Sequence, residues 1–154
     1  MRKTSFNDAK RISDVISRCQ VCYMGMTDEQ GLPYVLPFNF GYEEGVIYLH
    51  SAGTGKKIDI LRKKPDVCIA FSTDHQLRFV NEGVACSYGM KFRSVLAYGK
   101  VVFMEDPEEK KRILNLIMQH YTGRDDFAYN MPAVMDVAVY KIVVSEFTGK
   151  ESGF

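Results

Sequence analysis

Two adjacent lysines, Lys56 and Lys57, close a small-residue turn, Ala52-Gly53-Thr54-Gly55, that follows the strand-like run Val46–Ser51. Behind them, Ile58-Asp59-Ile60-Leu61-Arg62 reads as helix. A strand, a glycine-containing turn and a helix start make an anion site. The first N–H groups of the helix have no partner within it, and the positive end of its dipole points into the turn. The lysines bring charge to the same place, and the hydroxyls of Ser51 and Thr54 add donors. The chemistry this suits is the holding of a phosphate group. The plainer reading is a pair of solvated charges opening a surface helix.

Other reactive residues are less organised. Cys19-Gln20-Val21-Cys22 is a lone CxxC, and a structural zinc site wants four ligands. On a strand these two side chains face opposite ways, so both read as structural thiols, as does Cys68, while Cys86 falls in an irregular stretch. His50, His75 and His120 are scattered, with no ligand neighbour at useful spacing, so no metal is expected. No nucleophile elbow and no Gly-x-Gly-x-x-Gly after a strand is present.

The chain has 154 residues, 46% hydrophobic and 25% charged, which is the size and composition of one globular domain, residues 1–154. A formal net charge of +1 argues against whole-surface attraction to nucleic acid or acidic membrane. No apolar run is long enough to span a membrane, and Met1–Phe6 lacks the apolar core of a signal peptide. The cytoplasm is the default expectation, with reduced cysteines.

The elements that must position the turn follow from periodicity and punctuation. Ile12, Val15 and Ile16 predict a first helix from Asp8 to about Arg18, capped by Asn7 or Ser5. Cys19–Thr27 alternates as a strand. Tyr34–Tyr42 and Val46–Ser51 predict a hairpin about a Glu-Glu-Gly turn. Helix Lys56–Lys63 stops before Pro65, and Val67–Ser72 is a further strand. Thr73–Phe92 shows no period. Ser94–Met104 is strand-like, and Asp106-Pro107-Glu108-Glu109 opens a helix that runs to about Tyr121. Arg124–Ala133 is ambiguous between loop and one more helical turn, and Asp136–Phe147 is a last strand. The sum is mainly β: a six-stranded antiparallel barrel with about three peripheral helices.

Several stretches resemble the flavin-binding split-barrel superfamily. These are Pro33–Phe40, Tyr48-Leu49-His50-Ser51-Ala52, Gly55-Lys56-Lys57, Phe92–Lys100 and Thr148-Gly149-Lys150. The chain is similar to the pyridoxamine 5′-phosphate oxidase-like group, nearest its 5-nitroimidazole-resistance (Nim) branch, from about Arg18 to Lys150. The resemblance implies a six-stranded split barrel, a homodimer, and FMN, with FAD as the alternative, at the subunit interface. It implies that Pro37, Phe38, Asn39 and Phe40 run beside the ring system, and that His50 and Ser51 end the next strand near it. It further implies that Lys56 and Lys57, with Thr54 and Gly55, hold the phosphate, and that Arg93 and Ser94 make a further polar contact there. Part of Thr73–Phe92, including Tyr88, is expected to reach the partner's site.

His50 then reads as a group that donates a proton to a reduced substrate or holds it in place, against the plainer reading of a histidine satisfied at a strand end. The absence of tryptophan and the short segment after the last strand depart from enzymes that oxidise pyridoxamine phosphate. The function expected is a flavin-dependent oxidoreductase that takes electrons from a reductant to a small acceptor such as a nitro-aromatic. A flavin carrier without turnover and a haem-binding relative, with His50 as axial ligand, are the alternatives.

Overall fold

The computed structural model describes residues 1–154. The chain runs β1 (Lys3–Phe6), α1 (Ala9–Ser17), β2 (Cys22–Thr27), β3 (Pro33–Phe38), β4 (Gly41–Glu43), β5 (Val46–Ala52) and α2 (Lys56–Lys63). It continues through β6 (Asp66–Arg78), a 3-10 turn at Ala85–Ser87, β7 (Gly89–Met104), α3 (Pro107–Thr122), α4 (Met131–Asp136) and β8 (Val137–Ser152). The strands form one antiparallel sheet in the order β3-β2-β6-β7-β8-β5-β4, with β1 paired to the far end of β8. It has eight strands rather than six, and four helices rather than three. It is not closed, because the outer strands β3 and β4 do not pair.

The differences have local causes. The expected strand Tyr34–Tyr42 breaks at Asn39-Phe40, because Phe40 turns wholly inward. There its ring meets Phe71 at 5.0 Å and His120 at 4.5 Å, and its N–H donates to the Tyr121 hydroxyl on α3 at 3.1 Å. Of the expected hairpin only Gly41–Glu43 against Val46–Tyr48 survives, turned by Glu44 and Gly45, both at positive φ. β3 pairs with β2 instead. Half of the unperiodic stretch 73–92 is a two-stranded extension of β6 and β7 beyond a bulge at Thr73/Gln76, and the rest is the loop that joins them, with the 3-10 turn at Ala85–Ser87. With no core beneath the extension, both faces meet solvent and no alternation is imposed on the sequence.

Helix boundaries follow capping chemistry. Asp8, not Asn7 or Ser5, caps α1 by accepting from Arg11 N–H, Asp106 caps α3 through Glu109 N–H, and Asn130 caps α4 through Ala133 N–H. Side chains from β3, β5, β8, α1 and α2 share one core of 24 buried residues, so the sheet curls to enclose it. A smaller core of Tyr48, Ile113, Ile117 and Val139 lies on the outer face of β5, under α3. No helix is long and apolar enough to cross a membrane.

Cys19 and Cys22 do not face opposite ways. Cys19 sits in the turn that leaves α1 and only Cys22 is on β2, so both point into the core. Burial pushes their thiols up to about 11 and about 12, which makes them unreactive.

Candidate site at the start of α2

β5 delivers the chain to the turn, and α2 starts without a cap. Gly55 is the N-cap residue, and no side chain bonds to the first turn. Its φ of 119° and ψ of 177° lie in a region open essentially to glycine, and the space where a Cβ would sit is empty. Gly53 is needed for closeness instead, since a Cβ there would stand 2.7 Å from the Asp136 carbonyl oxygen. The turn is thus wedged against the end of α4.

The lysines lean on the inward-facing row of β3. Lys56 Nζ lies 4.5 Å from the centre of the Tyr34 ring, and Lys57 Nζ 5.7 Å from that of Phe38. Neither lysine forms an ion pair, whereas Lys63 and Lys100 on nearby surfaces do. Ser51 Oγ donates to the Ala52 carbonyl at 3.1 Å and accepts from the buried Tyr140 hydroxyl at 3.2 Å. Thr54 is exposed at the tip. Two unpaired cations, an uncapped helix start, two hydroxyls and an open glycine face fit a phosphate dianion in chemistry and charge.

Other expected contacts divide by strand alternation. Pro37 and Asn39 are exposed, while Phe38 and Phe40 belong to the core. Only the first two have side chains free to meet a ligand. His50 and Ser51 are neighbours on β5 and therefore face opposite ways. Ser51 turns to the Tyr140 side, whereas His50 lies on the outer face, across from Val139. His50 is half-buried, and burial alone lowers its pKa. No buried side-chain nitrogen lacks a partner and His50 makes no hydrogen bond, so its ring nitrogens open to solvent.

Arg93 and Ser94 are not brought to this turn within one chain. Ser51 pairs with Ala138 at the start of β8, while Arg93 pairs with Glu151 near its end, on the order of 40 Å further along extended strand. Arg93 is committed to Asp74 at 2.9 Å, to Glu151 at 3.2 Å and to the face of Phe154 at 3.6 Å. Arg18 also binds Asp74 at 2.9 Å, and Arg11 binds Glu151 at 2.7 Å. Desolvation opposes ionisation of Asp74, but hydrogen bonds from Arg93 and Arg18 prevail and hold its carboxyl below the usual range. The network pins α1 to the sheet. Ser94 lines a separate groove of about 520 Å³ with Lys150, Thr148 and Ser5.

Tyr34 and Tyr140 are the site residues that sequence reasoning missed, and for Gly53, already read as part of the turn, it missed the close approach to Asp136. Tyr34 could have been found, since it is two steps from Leu36 and four from Phe38 on one face of β3. Nothing local in the sequence announces the meeting of Gly53 with Asp136 or of Tyr140 with Ser51.

The family model for pyridoxamine 5′-phosphate oxidase matches residues 8–151. Among solved structures, the chain is similar to a candidate 5-nitroimidazole antibiotic resistance protein from Bacteroides thetaiotaomicron, at 43% identity and a TM-score of 0.85, over 98% of this chain and 89% of that one. It shares its fold with a flavocytochrome from Azotobacter vinelandii, at 19% identity and a TM-score of 0.83, over 97% of this chain and 70% of that one. The same holds for an FAD- and haem-binding protein from Mycobacterium smegmatis, at 12% identity and a TM-score of 0.84, over 97% and 74%. No curated protein matches.

Proposed function

The chain belongs to the pyridoxamine 5′-phosphate oxidase family, and on that premise we propose that it is a flavin-dependent reductase of small acceptors, nitro-aromatics among them. The observation that carries the reading is the start of α2, where two unpaired lysines crowd the positive end of an uncapped helix. That arrangement is unfavourable by itself and becomes favourable around an anion. The 43% identity to a candidate nitroimidazole-resistance protein supports the choice of acceptor. The flavin is FMN in this reading, with FAD as the alternative.

The bound flavin supplies the electron chemistry. The protein's own residues hold and select. Lys56, Lys57 and the α2 N–H groups neutralise the phosphate, and Ser51 and Thr54 donate to it. Pro37 and Asn39 present the exposed edge of β3 to the ring. His50 stays neutral near pH 7 because burial disfavours its cation, and its open nitrogens are free to orient an acceptor or pass it a proton.

A homodimer completes the reading. Tyr23, Val35, Leu96, Tyr98, Val102 and Val143 are large apolar side chains left exposed on strands. Tyr98, Val102 and Val143 line a groove of about 530 Å³. Light scattering on the purified protein tests it, and a monomer carrying flavin contradicts it. The cytoplasm is the proposed compartment, in keeping with four free thiols.

The deciding experiment is the absorption spectrum of freshly purified protein, followed by release of the bound molecule and its identification by mass. Two flavin bands and a mass of FMN or FAD are expected, with oxidation of the reduced protein by a nitroimidazole. A colourless protein that takes up neither flavin overturns the proposal. A Soret band moves His50 to the role of axial ligand.

A further inference from the structure

Tyr140 has no exposed surface, yet its hydroxyl reaches the rim of the phosphate turn, donating to Ser51 Oγ at 3.2 Å. Its ring meets Phe38 edge-on with centroids 6.4 Å apart, and Phe38 carries Lys57 on its face at 5.7 Å. One buried residue thus touches Ser51 on β5 directly and stands behind Lys57 of α2 through Phe38.

The hydroxyl contact has a direction. A serine hydroxyl carries one proton and accepts through its lone pairs. Because the Tyr140 proton already occupies the inner side of Ser51 Oγ, the Ser51 proton must go elsewhere, and it goes to the Ala52 carbonyl at the mouth of the turn. That bond is exposed and lies between adjacent residues, so a rotation about Cβ–Oγ exchanges it for a bond to an incoming oxyanion. Donation into Ser51 also polarises its own O–H, which strengthens the outward bond. Burial pushes the Tyr140 phenol up to about 12, so it remains a donor across the working range of pH.

We propose that Tyr140 is a positioning residue for cofactor binding, fixing Ser51 as a hydrogen-bond donor to the flavin phosphate. The inference rests on the reading of the α2 turn as the phosphate site. It assigns specificity for the phosphorylated cofactor over the bare vitamin in part to a residue that never touches the ligand.

Tyr140→Phe keeps the ring and its contacts with Phe38 and removes only the hydroxyl. Binding of FMN and of riboflavin to apoprotein, followed by quenching of flavin fluorescence, separates positioning from packing. FMN affinity is expected to fall about 3- to 10-fold in Tyr140→Phe, as for one neutral hydrogen bond, with riboflavin affinity unchanged. Ser51→Ala is expected to show the same selective loss, and the double variant no further loss beyond Ser51→Ala alone. The phosphorus resonance of bound FMN is expected to move in Tyr140→Phe. Equal weakening of FMN and riboflavin, or additive losses in the double variant, overturns the inference and leaves the phosphate site standing. Should the unaltered protein hold riboflavin as tightly as FMN, the phosphate reading itself fails and this inference fails with it. Melting of each variant controls for folding, and Ser51→Ala alone still tests the donor if Tyr140→Phe does not fold.

Discussion

The helices α2 and α3 begin in opposite ways. α3 opens with Asp106 as cap, Pro107 in its first turn, and Glu108 and Glu109 at the positive end of the dipole. Each of these offsets an unmet N–H or a partial charge, so the end is complete within the chain. α2 opens with Gly55, which caps nothing, and with Lys56 and Lys57, which add positive charge to a positive end. Asp59 in the first turn offsets part of that charge, but no side chain bonds to the free N–H groups and neither lysine has an ion-pair partner. One helix start serves stability; the other stores an unmet demand for a negative group. At the start of α2, hydroxyls, open backbone and free cations gather at one point.

The contrast is open to test. Replacing Lys56 and Lys57 together with alanine is expected to lower FMN affinity about 100-fold, from two charge-assisted contacts of about 1.5 kcal/mol each. The melting temperature of the apoprotein should hold or rise, because each cation removed from the dipole relieves about 0.3–1 kcal/mol. Unchanged flavin occupancy in this variant would remove the lysines from the site. Gly55→Ala comes next. A side chain at φ 119° is strained although the space is empty, at about 1–3 kcal/mol, so both melting temperature and FMN affinity should drop. Asp106→Ala is the counterpart on α3: a loss of about 1 kcal/mol in urea denaturation, with FMN affinity intact. A loss of flavin there would erase the distinction between the two helix starts.

The smallest effect concerns His50. Its folded-state pKa lies below the ordinary value because its half-buried ring is partly desolvated. The unfolded chain takes up a proton near pH 6.5 that the folded chain refuses. Its stabilising contribution is therefore whole above that pH and is lost as the pH falls through the lowered folded-state value. Thermal melts between pH 7.5 and 5 should show a shallower decline for His50→Gln than for the unaltered protein. Parallel curves would refute the assignment. If turnover of a nitro-aromatic also survives in that variant, His50 has no chemical role.

Much of the molecule was legible in its residues. The span of α2 follows from Gly55 and Pro65, and that of α3 from Asp106-Pro107 and Gly123, because caps and breakers act within a few residues. The buried row Cys22, Met24, Met26 follows from alternation alone. The extension of β6 and β7, the four-residue β1 and the split between β3 and β4 were not legible. The first has no buried face, the second is too short to show a period, and the third depends on where Phe40 is received. His50 and Ser51 read as one pair in sequence, and strand geometry divides them.

By itself the sequence determined the strand-turn-helix unit and its bare cationic start, since glycine conformation, capping and the helix dipole are all short-range. Only the tertiary structure decided what surrounds that unit. The curl of the sheet brings Tyr34 and Phe38 beneath the lysines and sets Tyr140 behind Ser51. It also carries Arg93 to a distant ion-pair network. Contacts between residues so far apart in the chain come from pairing register and burial, which no short window of residues contains.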